Sequence, residues 1–134
     1  VGVATRLIED AVNFAAERKQ FGKPIIEHQL IQAMLADSRA EMFAGRSMVL
    51  EAARSKDRGE KVSLDASCCK LFCSEMVGRV ADRAVQIHGG AGYMADYAVE
   101  RFYRDVRLFR IYEGTTQIQQ IVIARELARQ AAQS

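Results

Sequence analysis

The sequence predicts an all-α domain, an antiparallel four-helix bundle with a short extra helix. Three observations carry this. Apolar residues recur at intervals of three and four through long stretches. No stretch alternates apolar and polar residues convincingly. Glycines and the one proline gather at four places, Gly22 with Pro24, Gly59, Gly89-Gly90 with Gly92, and Gly114, and so divide the chain into segments. A chain of 134 residues, 49% apolar, is the size of one domain with its own core.

The first segment runs from about Val1 to Arg18, with Ala4, Leu7, Ile8, Ala11, Val12, Phe14 and Ala15 as its apolar stripe. The pattern is already under way at Val1-Gly2-Val3 with no capping signal, which predicts a start that cuts through a longer chain. The second segment runs from about Glu27 to Arg58. Leu30, Met34, Met42, Gly45, Val49 and Ala52 keep helical spacing there. Gly45 in a helix interior costs about 1 kcal/mol against Ala, and close approach of a neighbouring helix is the expected compensation. The third segment, about Ser63 to His88, steps by three or four through Ala66, Cys69, Cys73, Met76, Val80, Ala84 and Ile87, with Ser63 as the candidate N-cap. A short segment follows from about Asp96 to Asp105. The last begins near Thr115 and runs to the end, with Ile118, Ile121, Val122, Leu127, Ala128 and Ala131 apolar.

Composition excludes several classes of function. Nineteen basic against seventeen acidic residues leave a net charge of +2, spread along the chain, which argues against binding nucleic acid or a membrane surface by bulk charge. No apolar run reaches the roughly 20 residues of a membrane span. Cys68, Cys69 and Cys73 crowd together without disulfide-framework or zinc spacing, and read as reduced thiols packed in a helix. With two histidines in the chain, no metal site is expected.

Chemistry concentrates at the breaks. Arg18-Lys19-Gln20-Phe21-Gly22-Lys23-Pro24, followed by His28-Gln29, joins a guanidinium, an amide and an exposed aromatic at a turn. Arginine grips phosphate through two parallel hydrogen bonds, and a helix start just after Pro24 would add backbone N–H groups. A basic helix C-terminus with a glycine-proline stop explains the same residues without a ligand. Gln86-Ile87-His88-Gly89-Gly90-Ala91-Gly92-Tyr93 follows a helix and not a strand, so it is no Rossmann fingerprint. A helix cap accounts for one of its glycines well and for three poorly. In Ile111-Tyr112-Glu113-Gly114-Thr115-Thr116-Gln117, a carboxylate sits between apolar residues and a helix start. Burial there would raise its pKa and suit it to act as a general base, although Glu near a helix N-terminus is also ordinary capping electrostatics. Arg125 shares the face of Ile118, Ile121 and Ala128 and so needs a partner.

Together these motifs resemble the C-terminal domain of the acyl-CoA dehydrogenases, across essentially all 134 residues. The resemblance implies further N-terminal helical and middle β domains that this sequence does not contain. It implies α,β-dehydrogenation of an acyl-CoA thioester to a trans-2-enoyl-CoA, with Glu113 as the base that removes the α-proton and FAD as hydride acceptor. Arg18, Gln20, Phe21, Ile25 and His28 match a contact to the FAD of a neighbouring subunit, and Gln86 and Gly90 a second such contact. Thr115 and Gln117 match contacts to the chain's own FAD, and Tyr112 and Gly114 match the substrate site. Arg125 matches a structural Arg. The resemblance further implies electron-transfer flavoprotein as acceptor, a homotetramer, and a cytoplasmic location in a bacterium or the mitochondrial matrix in a eukaryote. The 134 residues alone are expected to be inactive. Two other readings stand beside it: a helical oligomerisation module that has lost its chemistry, and an acyl-CoA oxidase or flavin monooxygenase-like relative.

Overall fold

The computed structural model describes residues 1–133, so the C-terminal Ser134, included above in the last helix, lies outside the described residues. Five helices follow one another: α1 (Gly2–Glu17), α2 (Gln29–Asp57), α3 (Ser63–His88), α4 (Ala98–Leu108) and α5 (Thr116–Ala131). Four of them are long, as the periodicity predicts, and the short extra helix is α4. One element was not foreseen, a two-stranded antiparallel hairpin of β1 (Lys19–Gln20) and β2 (Lys23–Pro24). Two residues per strand are too few to show any alternation, and the hairpin is legible only in its Phe21-Gly22 turn. Pro24 leads into a short 3-10 turn, Ile25–Glu27, so α2 begins at Gln29, two residues later than expected.

The core lies along α3, which packs against α1, α2, α4 and α5. On α1 the buried residues are Ala4, Leu7, Ala11 and Ala15, a narrower stripe than the sequence pattern, with Val12 exposed. They meet Met76, Val77, Val80, Ala81, Ala84 and Ile87 of α3. Gly45 lets α2 approach α3: a Cβ there would lie 3.1 Å from Cys73 Sγ and 3.2 Å from Met76 Cε. The three cysteines are free thiols, and burial pushes Cys69 and Cys73 above the ordinary thiol range. The N-cap of α3 is Val62, so Ser63 is its first helical residue and caps nothing.

The last helix departs most from expectation. No residue of α5 is buried. It is fastened to the bundle along a polar edge: the Thr116 hydroxyl donates to Glu75 (2.7 Å) and Lys61 donates to Glu126 (2.8 Å). Its apolar residues Ile118, Ile121, Val122 and Leu127 stay exposed. Arg125 is exposed with them, so the core partner expected for it is not required within this chain.

Candidate functional site

The first break forms a tight structure. The loop of the hairpin is Phe21-Gly22, both in the left-handed region (φ 55° and 81°), as two-residue hairpin loops that match strand twist require. A bulky aromatic in that conformation costs about 1–2 kcal/mol, and Phe21 is also 93% exposed. Two unfavourable features at one residue point to a contact outside the chain. His28 supports the hairpin from the start of α2: its Nε2 donates to the Gln20 carbonyl (3.2 Å), and its ring meets Phe21 edge-on. Gln20, Phe21, Ile25 and His28 line a surface cavity of about 740 Å³.

The glycine motif extends this region. Gly89 ends α3 with φ 59° and begins a 3-10 turn to Tyr93. Each glycine has a different reason. Gly89 needs the positive φ. Gly92 needs the space, since a Cβ would lie 2.8 Å from the Val85 carbonyl oxygen. Gly90 needs neither: its φ is not positive, and nothing in the chain lies within 4 Å of where its Cβ would be. Arg18, Gln20, Ile25 and Gly90 share a second cleft of about 440 Å³. Phe14, His88 and Tyr97 line it as well and were missed from sequence. His88 is buried, donates from Nδ1 to the Ala84 carbonyl (2.7 Å) and stacks on Phe14 at 4.3 Å. Its place in the Gln-Ile-His-Gly-Gly run was the available signal. Gln86 lies exposed on the last turn of α3, outside the lining of either cleft.

The third break repeats the backbone of the first. Glu113 (φ 55°) and Gly114 (φ 87°) are consecutive left-handed residues, as Phe21 and Gly22 are. Here the burial expectation fails. Glu113 is exposed, and its neighbours Ile111 and Tyr112 are 51% and 44% exposed, so within this chain they do not desolvate it. Among the described residues its carboxylate makes no hydrogen bond or ion pair. Its backbone, by contrast, is held: Gln119 donates to its carbonyl (3.3 Å). Thr115 caps α5, its hydroxyl oxygen accepting from the Ile118 N–H (3.3 Å), and Gln117 is exposed on the first turn. The sequence missed Gln119, Lys70 and Glu75, because each reaches the turn across a helix–helix contact or a helical turn.

The structure therefore gathers the predicted residues into two groups rather than one. The Glu113 turn lies against Lys70 and Glu75 of α3, and the Arg18–Gly90 cleft lies at the C-terminal end of that helix. Sixteen residues from Lys70 to Gln86 at 1.5 Å each put the two groups about 24 Å apart along the helix.

Comparison with known proteins identifies the family and the fold. The family described as the acyl-CoA dehydrogenase C-terminal domain matches residues 1–128. The chain is 48% identical over 129 residues to a Bacillus subtilis protein named "Probable acyl-CoA dehydrogenase YngJ", covering 96% of this chain and 34% of that protein. It is 44% identical over 129 residues to the caffeyl-CoA reductase-Etf complex subunit CarC of Acetobacterium woodii, again covering 96% and 34%. Among solved structures, butyryl-CoA dehydrogenase from Megasphaera elsdenii superimposes with a TM-score of 0.93 at 39% identity, covering 95% of this chain and 33% of that one. The chain thus spans about a third of the length of the relatives it matches. By sequence match and by fold, the chain belongs to the acyl-CoA dehydrogenase family, whose C-terminal helical domain it forms.

Proposed function

We propose that this domain serves an FAD-dependent acyl-CoA dehydrogenase, in which Glu113 removes the α-proton of an acyl-CoA thioester to give the trans-2-enoyl-CoA. The observation that carries the reading is the Glu113 turn: a carboxylate with no partner, on a left-handed backbone that the surrounding side chains hold in place. A general base has to meet its proton unpaired and at a fixed position. In this reading, cover from outside the chain supplies the desolvation that Ile111 and Tyr112 do not. Tyr112 and Gly114 then flank the substrate.

The residues present fit the flavin. Arg18 offers an exposed guanidinium with no ion-pair partner among the described residues, suited to a diphosphate. Gly90 leaves its Cβ position open for close approach, and Phe21 offers an aromatic face. Gln20, Ile25 and His28 complete this group, with Gln86 exposed four residues before Gly90 and outside the cleft lining, while Thr115 and Gln117 belong to the turn beside Glu113. FAD bound there would supply the hydride acceptor for the β-hydrogen. A separation of about 24 Å supports two different flavins touching one chain, its own beside Glu113 and a neighbouring subunit's beside Arg18. The outward apolar residues of α5 support the homotetramer. The name of the Acetobacterium relative supports electron-transfer flavoprotein as the acceptor. That relative is a reductase, and the same geometry run backwards would return a proton to the α-carbon from Glu113. The enzyme's remaining two-thirds would be the helical and β domains, in the cytoplasm of a bacterium or the mitochondrial matrix of a eukaryote.

The test is Glu113→Gln in the full-length flavoenzyme, assayed on a panel of acyl-CoA chain lengths with an artificial electron acceptor. Turnover is expected to fall at least about a thousandfold with flavin retained, in line with loss of an essential base. Unchanged turnover would remove Glu113 from the mechanism.

A further inference from the structure

We infer that Lys70, in the first half of α3, is a positioning residue for Glu113, holding the turn that carries it through the backbone; the inference rests on the reading of Glu113 as the base. Its Nζ donates to the Phe109 carbonyl (2.6 Å) and to the Gly114 carbonyl (2.9 Å). Phe109 caps the C-terminus of α4, where helix carbonyls lose their intrahelical partners, and Gly114 is the residue directly after Glu113. An ammonium carries three donors in one compact group, so a single side chain can close both ends of a loop. Lys70 is half-buried and has no carboxylate partner among the described residues. Carbonyls of this turn take the place of a counter-ion.

A second tie runs beside it. Glu75, five residues further along α3, accepts from the Thr116 hydroxyl (2.7 Å) and pairs with Arg110 Nε (3.3 Å). Arg110 reaches it by lying across α3 at Gly78, where any Cβ would collide with its guanidinium. From the other side, Gln119 donates to the Glu113 carbonyl. These bonds fix the backbone before and after Glu113, and none touches its carboxylate. A left-handed non-glycine residue persists only where its surroundings over-determine it. Lys70 and Glu75 supply that constraint, and the carboxylate stays free for a proton.

The test uses the flavin-loaded full-length enzyme. Lys70→Met, which keeps the stem and removes the donors, is expected to lower kcat about 10- to 100-fold, since displacement of a reacting group by about 1 Å costs that much. KM stays within about twofold. Lys70→Arg, which keeps the positive charge and several N–H donors, is expected to recover kcat to within about fivefold of wild type. A readout independent of turnover is amide hydrogen exchange followed by mass spectrometry: in Lys70→Met, exchange in residues 108–120 quickens about fivefold or more, while residues 1–57 are unchanged. Glu113→Gln runs alongside and is expected to lose turnover and keep its amide protection. Wild-type kcat and protection in Lys70→Met, with Glu113→Gln inactive, overturn the positioning role. An active Glu113→Gln overturns the base reading instead. Should Lys70→Met fail to fold by circular dichroism, Glu75→Gln is expected to quicken exchange over the same residues, and wild-type exchange there overturns the inference.

Discussion

Gly90 and Gly92 stand two residues apart in one motif, and the structure gives them opposite sensitivities to a single methyl group. In Gly92→Ala the new Cβ would lie 2.8 Å from both the Val85 carbonyl oxygen and His88 Cβ, and 3.1 Å from Val85 Cα. Two of these three atoms are backbone of α3, so rotamer changes cannot relieve the overlap, and the 3-10 turn has to move off the helix. Overpacking of this kind costs about 1–3 kcal/mol. Taking about 2 kcal/mol, a domain of this size loses about 6–10 °C in Tm. In Gly90→Ala the methyl meets nothing within 4 Å, and its φ is not positive. Stability should stay within about 0.5 kcal/mol, since a compatible Gly→Ala mainly restricts the unfolded chain. The methyl does enter the cleft shared with Arg18, and about tenfold weaker flavin retention is expected, equivalent to about 1.4 kcal/mol. Urea denaturation by far-UV circular dichroism reads the stabilities, and flavin absorbance after gel filtration of the full-length enzyme reads retention. Equal loss of stability in both variants would refute the division between a packing glycine and a ligand glycine. Full flavin retention in Gly90→Ala would refute the cleft assignment.

Two further predictions follow from the bundle. Glu41 bridges α2 to α3 by accepting from Arg79 and Arg83, each at 2.9 Å. Burial would raise its pKa, but the hydrogen bonds and charges of Arg83 and Arg79 outweigh it and hold the carboxyl below its ordinary 4.5. A depressed folded value means the bridge stabilises fully above the unfolded pKa and loses its effect as the pH falls below 4.5 through the folded value. Glu41→Gln is therefore expected to cost about 1 kcal/mol at pH 7, with the gap to wild type closing under acid in urea melts; a gap that persists in acid would show that the charge is not what stabilises. The 134-residue chain alone is expected to bind no FAD, to turn over no acyl-CoA and to self-associate through Ile118, Ile121, Val122 and Leu127 of α5. Sedimentation of a strict monomer, or a yellow and active preparation, contradicts this.

The sequence by itself determined the helices and their breaks, because local periodicity and punctuation are properties of neighbouring residues. Ala4, Leu7, Ala11 and Ala15 are buried at the spacing their positions announce, and Gly45 meets the close neighbour its cost required. The three motifs were legible in the same way, since each is a short run at a break. The tertiary structure decided everything that depends on a distant partner. Ile118, Ile121, Val122 and Leu127 have a helical pattern whether they face this core or another surface, and only the fold shows that α5 docks by Thr116 and Glu126 and leaves them outside. The burial expected around Glu113 failed for the same reason: apolar neighbours in sequence do not cover a side chain unless another element packs over them. Nor could spacing along the chain show that Lys70, about forty residues upstream, closes the Glu113 turn. That contact exists because an ammonium on α3 meets carbonyls that α4 and its following turn leave without partners, and only the packing of those elements brings them within hydrogen-bond reach.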